Sequence, residues 1–216
     1  MGNPPERAAR DWVAWHREYD DPSSRLSQRL RVVHARLRDA IEAQPAAMRL
    51  ISMCAGEGRD VIGVLAEHPR RTEVTARLVE LNPHNAAFAR EAARMARLDH
   101  IEVVEGDAGS SDAYAGAVPA EIVLACGVFG NVPDEDVLRT IQGLPSLCAP
   151  GAMVIWTRGR EADRDVALTI RSWFNQNGFD EIAYDADETG FRVGVNRLAT
   201  LPLAFRPGTR LFTFFR

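Results

Sequence analysis

Apolar residues recur at spacings of three and four from Leu26 through Leu30, Val33 and Leu37 to Ile41, the pattern of one buried stripe on an amphipathic helix. Residues 11–42 therefore read as helical, with a break at Asp21-Pro22, where Asp21 is placed to cap and Pro22 to open the first turn. From residue 48 the rhythm changes. Short apolar runs at 49–53, 74–80, 101–105, 121–126 and 152–156 alternate with helical stretches near 59–67, 82–96, 110–116 and 134–144. Asn82-Pro83 and Pro133-Asp134 are start signals for two of those helices. Nearly all-apolar strands separated by helices predict a parallel sheet covered on both faces. The last third departs from this pattern. After a helix near 163–177, the runs 178–186, 191–198 and 209–216 follow one another without long helices between them. Strands joined by short loops pair antiparallel, so the sheet should end in an antiparallel patch.

Composition changes this picture little. The 216 residues are 46% hydrophobic and 26% charged, which suits one globular domain, alone or with an appended arm. A net charge of −4 and a pI near 5.8 argue against a nucleic-acid partner, which needs clustered positive charge. All 26 basic residues are arginine, so Schiff-base and P-loop lysine chemistry are excluded. Cys54, Cys126 and Cys148 are few, odd in number and without Cys-x-x-Cys spacing, which points to a reducing, cytoplasmic setting and to no metal site. The first twelve residues have no apolar core of a signal peptide, and no run approaches a membrane span.

Candidate chemistry lies at the strand ends, where open parallel sheets bind ligands. The first strand runs into Cys54-Ala55-Gly56-Glu57-Gly58-Arg59-Asp60, a glycine turn before a helix. Alone it is a cofactor loop or merely a tight turn. It is not Gly-x-Gly-x-x-Gly, because Val61 stands third after Gly58. Glu80 ends the second strand, where an acid accepts ribose hydroxyls or is simply a solvated strand end. Asp107-Ala108 follows the third strand, to accept an adenine amine or to serve as a turn residue. Cys126-Gly127-Val128-Phe129 follows the fourth, small and then apolar.

Taken together, these strand ends resemble the class I S-adenosylmethionine-dependent methyltransferases over residues 48 to about 160, and small bacterial members in particular, the segment from Asp11 to Val33 included. The resemblance implies an α/β, Rossmann-like, doubly wound, mostly parallel seven-stranded sheet with an antiparallel C-terminal strand. It implies an N-terminal helical arm or lid over 1–45 and a methyltransferase domain over 46–216. It implies S-adenosylmethionine as cofactor and S-adenosylhomocysteine as product. The family's first motif, usually acid-x-Gly-x-Gly-x-Gly, falls on Ser52 to Gly58, with Ser52 in the place of the acid and Cys54 in that of the first glycine. The cofactor set so implied is Ser52, Cys54, Ala55, Gly56, Glu57, Gly58, Asp60, Glu80, Leu81, Asp107, Ala108, Cys126, Gly127 and Val128. Ser52 still accepts a hydrogen bond, at neutral rather than charged strength.

For catalysis the candidates are His16 and Tyr19 on the aromatic arm with Trp12 and Trp15, Asn131 after the fourth strand, and Arg158 after the fifth. The arm either lids the site or docks as core. His34, His68 and His100 read as solvated, and His84 as an edge to the adenine. The fourth strand lacks the Asn/Asp-Pro-Pro-Tyr/Phe of amide and adenine methylating chains, so a small-molecule acceptor is the leading expectation. A homodimer is the expected assembly, with neither nucleic acid nor membrane as partner. An NAD(P)-dependent oxidoreductase is the alternative enzyme, disfavoured by the missing third glycine and the antiparallel tail. A catalytically inactive cofactor-binding regulatory or scaffold protein stays open, because two loop positions are altered and no base is evident.

Overall fold

The computed structural model describes residues 17–159, 165–186 and 190–214, so Trp12, Trp15, His16 and Arg160 lie outside the described residues. Strands β1 (Met48–Met53), β2 (Val74–Glu80), β3 (Ile101–Glu105), β4 (Ala120–Ala125), β5 (Cys148–Gly159), β6 (Phe179–Ala186) and β7 (Phe191–Leu198) form one sheet. Its order is β3-β2-β1-β4-β5-β7-β6. The first five strands pair parallel, and β7 pairs antiparallel with both β5 and β6. This is the Rossmann-like methyltransferase sheet that the sequence led us to expect.

Both faces of the sheet are covered, which is why its central strands are apolar at consecutive positions. Leu50 and Ile51 on β1 are buried on opposite sides and belong to separate cores. Helices α1 (Arg25–Glu42), α2 (Arg59–Leu65) and α3 (Pro83–Met95) supply one core through Val33, Leu37, Ile41, Val61, Leu65 and Ala89. Helices α4 (Asp134–Gly143) and α5 (Ala167–Gln176) supply the other through Val137, Ile141, Ile170 and Phe174.

The stripe from Val33 to Ile41 is thus the buried face of α1, and the helix lies against α2, β5 and β7. Its cap differs from the expected one. Ser24 caps α1 by accepting the Ser27 N–H, while Asp21 accepts the Ser23 N–H one turn earlier. Asn82 caps α3 as expected, accepting from the His84 and Asn85 N–H groups with Pro83 at the first helical position.

Two predicted elements are corrected. The helix near 110–116 is a single 3-10 turn, Ser111–Tyr114. A segment this short cannot repay helix nucleation, and Tyr114 is instead drawn wholly into the core, its hydroxyl donating to the Ala108 carbonyl at 2.6 Å. The strand predicted at 209–216 is likewise absent over its described residues. Arg210 makes an isolated antiparallel bridge to Ser110, and the neighbouring polar groups of the tail turn to α4 instead: the Thr213 N–H donates to Asp136 Oδ2 at 2.7 Å, and the Leu211 carbonyl accepts from Thr140 Oγ1 at 3.2 Å.

Candidate functional site

The strand order reverses between β1 and β4, and a crevice opens at the carboxyl ends of strands on either side of such a point. A cavity of about 460 Å³ lies there.

One wall is the loop between β1 and α2. Cys54, Gly56 and Gly58 all take positive φ, at 51°, 57° and 70°. Cys54 thereby holds a backbone conformation natural to glycine, at a cost of roughly 1–2 kcal/mol for a residue with a side chain. At Gly58 the left-handed backbone itself favours glycine, and a Cβ there would also press on Ile62 Cδ1 at 2.7 Å and Leu78 Cδ2 at 3.0 Å.

Glu80 is buried at the end of β2. Its Oε2 accepts the Gly56 N–H and its Oε1 accepts the Asn82 N–H, both at 2.8 Å. Each oxygen retains lone-pair capacity toward the cavity. Asp107 stands half-exposed beyond β3. Its Oδ1 accepts the Gly109 N–H at 2.8 Å, and its Oδ2 meets Arg210 Nη1 at 2.5 Å. Leu81, 69% exposed, adds an apolar surface to the same wall.

The cavity is also lined by Cys54, Cys126, Gly127, Asp60, Tyr19 and Arg29. Arg29 donates to the Tyr19 hydroxyl at 2.9 Å, and the Arg59 guanidinium sits over the Tyr19 ring, 5.4 Å from its centroid. Burial pushes the Tyr19 phenol up; the Arg29 cation pulls against this and the Asp60 carboxylate adds to it. Burial likewise raises the Asp60 carboxyl, against the N–H bond from Val61 and the charges of His34 and Arg29. The Cys54 thiol is pushed well up by burial and then by Glu80 and Asp107; Cys126 is pushed up by burial and then by Asp60. All three cysteines are free thiols.

Of the residues expected to hold a cofactor, Cys54, Ala55, Gly56, Glu57, Asp60, Glu80, Leu81, Asp107, Ala108, Cys126 and Gly127 line the cavity. Ser52, Gly58 and Val128 do not. Ser52 is fully buried in β1 and its hydroxyl has no hydrogen-bond partner among the described residues. Val128 is core.

Among the catalytic candidates Tyr19 reaches the cavity and His16 lies outside the described residues. Asn131 and Arg158 are placed behind the wall instead. Asn131 Nδ2 donates to the Gly127 carbonyl at 2.7 Å, and buried Arg158 donates to the Phe129 carbonyl, so both brace the turn after β4. His68 is buried rather than solvated, its Nδ1 accepting the Arg70 N–H; His34 meets the Arg59 carbonyl at 2.9 Å; His84 is exposed and outside the lining.

Sequence reasoning missed Arg29, Leu30 and Val33 of α1, together with Asn85 and Phe214. Arg29 and Val33 are four residues apart and therefore share a helix face, which was the available signal. Phe214 gave none beyond an aromatic-rich tail. Among the described residues no cluster of three or more His, Cys, Asp or Glu is arranged to hold a metal ion, and no helix is long and apolar enough to cross a membrane.

A doubly wound sheet of this order, with β7 reversed and a glycine loop and two acids facing its switch point, defines the class I S-adenosylmethionine-dependent methyltransferase fold. The model of the family described as "Putative methyltransferase" matches residues 23–164, well over half of the chain, and the chain belongs to that family. It is 25% identical over 120 residues to "Uncharacterized protein YnbC" of Escherichia coli (strain K12), a match spanning 54% of this chain and 20% of that protein. The chain thus matches about a fifth of its curated relative's length. Among solved structures, magnesium protoporphyrin IX methyltransferase from Synechocystis PCC 6803, with bound S-adenosylhomocysteine, superposes with a TM-score of 0.62 at 14% identity, over 86% of this chain and 93% of that one. A possible exported protein from Bordetella parapertussis gives 0.70 at 14% identity, over 90% and 81%. An O-methyltransferase family protein from Burkholderia thailandensis gives 0.60 at 14% identity, over 88% and 69%. These likenesses establish the fold.

Proposed function

We propose that the protein transfers the methyl group of S-adenosylmethionine to a small-molecule acceptor and releases S-adenosylhomocysteine. The observation that carries this reading is the convergence on one cavity of the loop from Cys54 to Glu57, the Glu80 carboxylate and the Asp107 carboxylate. The residues fit the cofactor. Glu80, anchored by two backbone N–H groups, accepts the ribose hydroxyls; Asp107 accepts the adenine amine; Leu81 offers its exposed surface to the flat ring. The loop suits the methionyl half despite its substitutions, because Cys54 keeps the left-handed backbone. A cavity of about 460 Å³ is of the size that takes small ligands.

When bound, the sulfonium supplies an electrophilic methyl carbon, so that an acceptor lone pair forms the new bond while the carbon–sulfur electrons pass to sulfur. The chain's task is alignment and exclusion of water, which can be worth on the order of 7–11 kcal/mol. Cys54 and Cys126 are the two thiols that line the cavity. Burial keeps both thiols protonated at neutral pH, which protects them from being methylated in place of the acceptor. The Tyr19 phenol, raised by burial, stays protonated and orients the acceptor as a donor. Asp60, whose carboxyl burial makes more basic, takes the proton of an O–H or N–H acceptor. The arm reaches the cavity through Tyr19, Arg29, Leu30 and Val33, which supports its role as a cap, and the segment from 46 onward carries the cofactor. Three free thiols support a cytoplasmic setting.

Titration calorimetry on the full chain tests this reading. S-adenosylhomocysteine should bind and NAD should give no heat; binding of NAD with no response to S-adenosylhomocysteine would sink it.

A further inference from the structure

The tail from Arg206 to Phe214 is stitched to the turn that carries Asp107 and to α4. Ser111 Oγ donates to the Arg206 carbonyl at 2.8 Å and accepts the Thr209 N–H at 2.9 Å. The Ser111 N–H donates to the Thr209 carbonyl at 2.9 Å, and the Leu211 N–H donates to the Gly109 carbonyl at 2.8 Å. Asp112 Oδ1 accepts the Gly208 N–H at 2.8 Å. Leu211 and Phe212 are each 1% exposed. The approach is so close that a Cβ on Gly109 would lie 2.3 Å from the Phe212 carbonyl oxygen. This tail is therefore built into the molecule, and two of its side chains reach the cofactor end. Arg210 bonds the Asp107 carboxylate, and Phe214, edge-on to Phe212 at 5.7 Å between centroids, lines the cavity.

The Asp107 carboxylate has one lone pair on Oδ1 occupied by the Gly109 N–H and one on Oδ2 by Arg210. Two donors on opposite oxygens fix the plane of a carboxylate, and the capacity that remains accepts but does not donate. Such a group bonds an exocyclic amine and leaves a purine 6-oxo group unsatisfied; sites built to hydrogen-bond a ligand group reject analogues that lack it.

We propose that Arg210 is a positioning residue for purine selection, holding Asp107 so that the site takes a 6-amino and refuses a 6-oxo purine, and that Phe214 is the apolar wall of the same cavity, indifferent to that distinction. This rests on the cofactor reading above.

The test is calorimetry of the full chain and its R210A, R210K and F214A variants with S-adenosylhomocysteine and its 6-oxo analogue S-inosylhomocysteine, each variant checked by thermal melting. The wild type should prefer the amino ligand. R210A should weaken that ligand on the order of 5- to 10-fold and narrow the preference by a similar factor, and R210K should restore much of it. F214A should weaken both ligands together and leave their ratio unchanged. An R210A protein with the wild-type ratio overturns the role of Arg210, and a changed ratio in F214A overturns that of Phe214. A wild type that binds both ligands equally removes the selection while leaving the cofactor reading intact. Binding of neither ligand overturns both. Should R210A fail to fold, R210K decides: its ratio must lie at or below the wild-type value with the amino ligand still preferred, and a ratio above it overturns the proposal.

Discussion

Glu80 and Asp107 follow neighbouring strands, face one cavity and are held in opposite ways. Glu80 is buried and fixed by two backbone N–H groups, one from the loop after β1 and one from its own turn. Asp107 is half-exposed and is fixed by one local N–H and by a side chain 103 residues away. The first carboxylate is therefore part of the backbone's own hydrogen-bond accounting, and its loss leaves two donors unpaired. The second is adjustable, because an exposed ion pair contributes only about 0–1 kcal/mol to stability. Under the proposed function, one acid binds ligand and also organises the loop, and the other selects ligand with little weight in the fold.

That contrast can be broken at several points. Glu80→Ala removes charge-assisted hydrogen bonds worth roughly 1.5–3 kcal/mol, so calorimetry should find S-adenosylhomocysteine weakened about 10- to 100-fold. Its melting temperature should fall too, because the Gly56 and Asn82 N–H groups lose their acceptor, and Glu80→Gln should lie between. Asp107→Ala should weaken the same ligand by about tenfold or less with melting close to wild type. If both variants lose equal stability, the distinction between the two acids fails.

Asp60 gives a pH-dependent effect of smaller size. Its folded-state carboxyl is raised by burial, so the native state holds its proton to higher pH than the unfolded state does. Stability from this group is then present at low pH and declines as pH rises above the ordinary carboxylate value, about 3.9. Asp60→Asn removes the ionisation and keeps an oxygen for the Val61 N–H. Its melting temperature relative to wild type should rise between pH 4 and pH 7; a flat or falling difference would contradict the assigned burial cost. The smallest effect belongs to Ser52→Ala. An unpartnered buried hydroxyl costs stability, so the variant should melt at or slightly above the wild-type temperature and bind ligand equally. Weaker binding would mean that the hydroxyl serves the ligand after all.

Much of this architecture was legible because period and position carry it. Strands buried on both faces are apolar at consecutive positions, as at Leu50 and Ile51, and the stripe through Val33, Leu37 and Ile41 could only be a helix face. Glu80 and Asp107 were legible because strand ends are where such sheets bind. What escaped was decided by contacts distant in sequence. Asp21 and Ser24 are equally good caps on composition, and only the turn at Arg17–Asp20, whose Tyr19 carbonyl accepts from Ser27 Oγ, settles the start of α1. The tail from 209 has the aromatic content of a strand, yet Asp136 and Thr140 of α4 claim polar groups that a ladder would need. Phe214 joins the site by packing, which no local pattern records.

The strand order has a consequence for how the chain is made. β6 is synthesised before β7, yet β7 lies between β5 and β6, and among the described residues β6 pairs with no other strand. On a chain emerging from its N-terminus, the five parallel strands and the glycine loop can assemble while β6 still has no template. The right-hand edge of the sheet must wait for β7 to insert beside β5, and β6 then docks onto the later strand. A released chain ending before residue 191 should therefore keep the glycine loop and the five parallel strands, lack the Asp107–Arg210 tie and the Phe214 wall, and leave β6 open to protease.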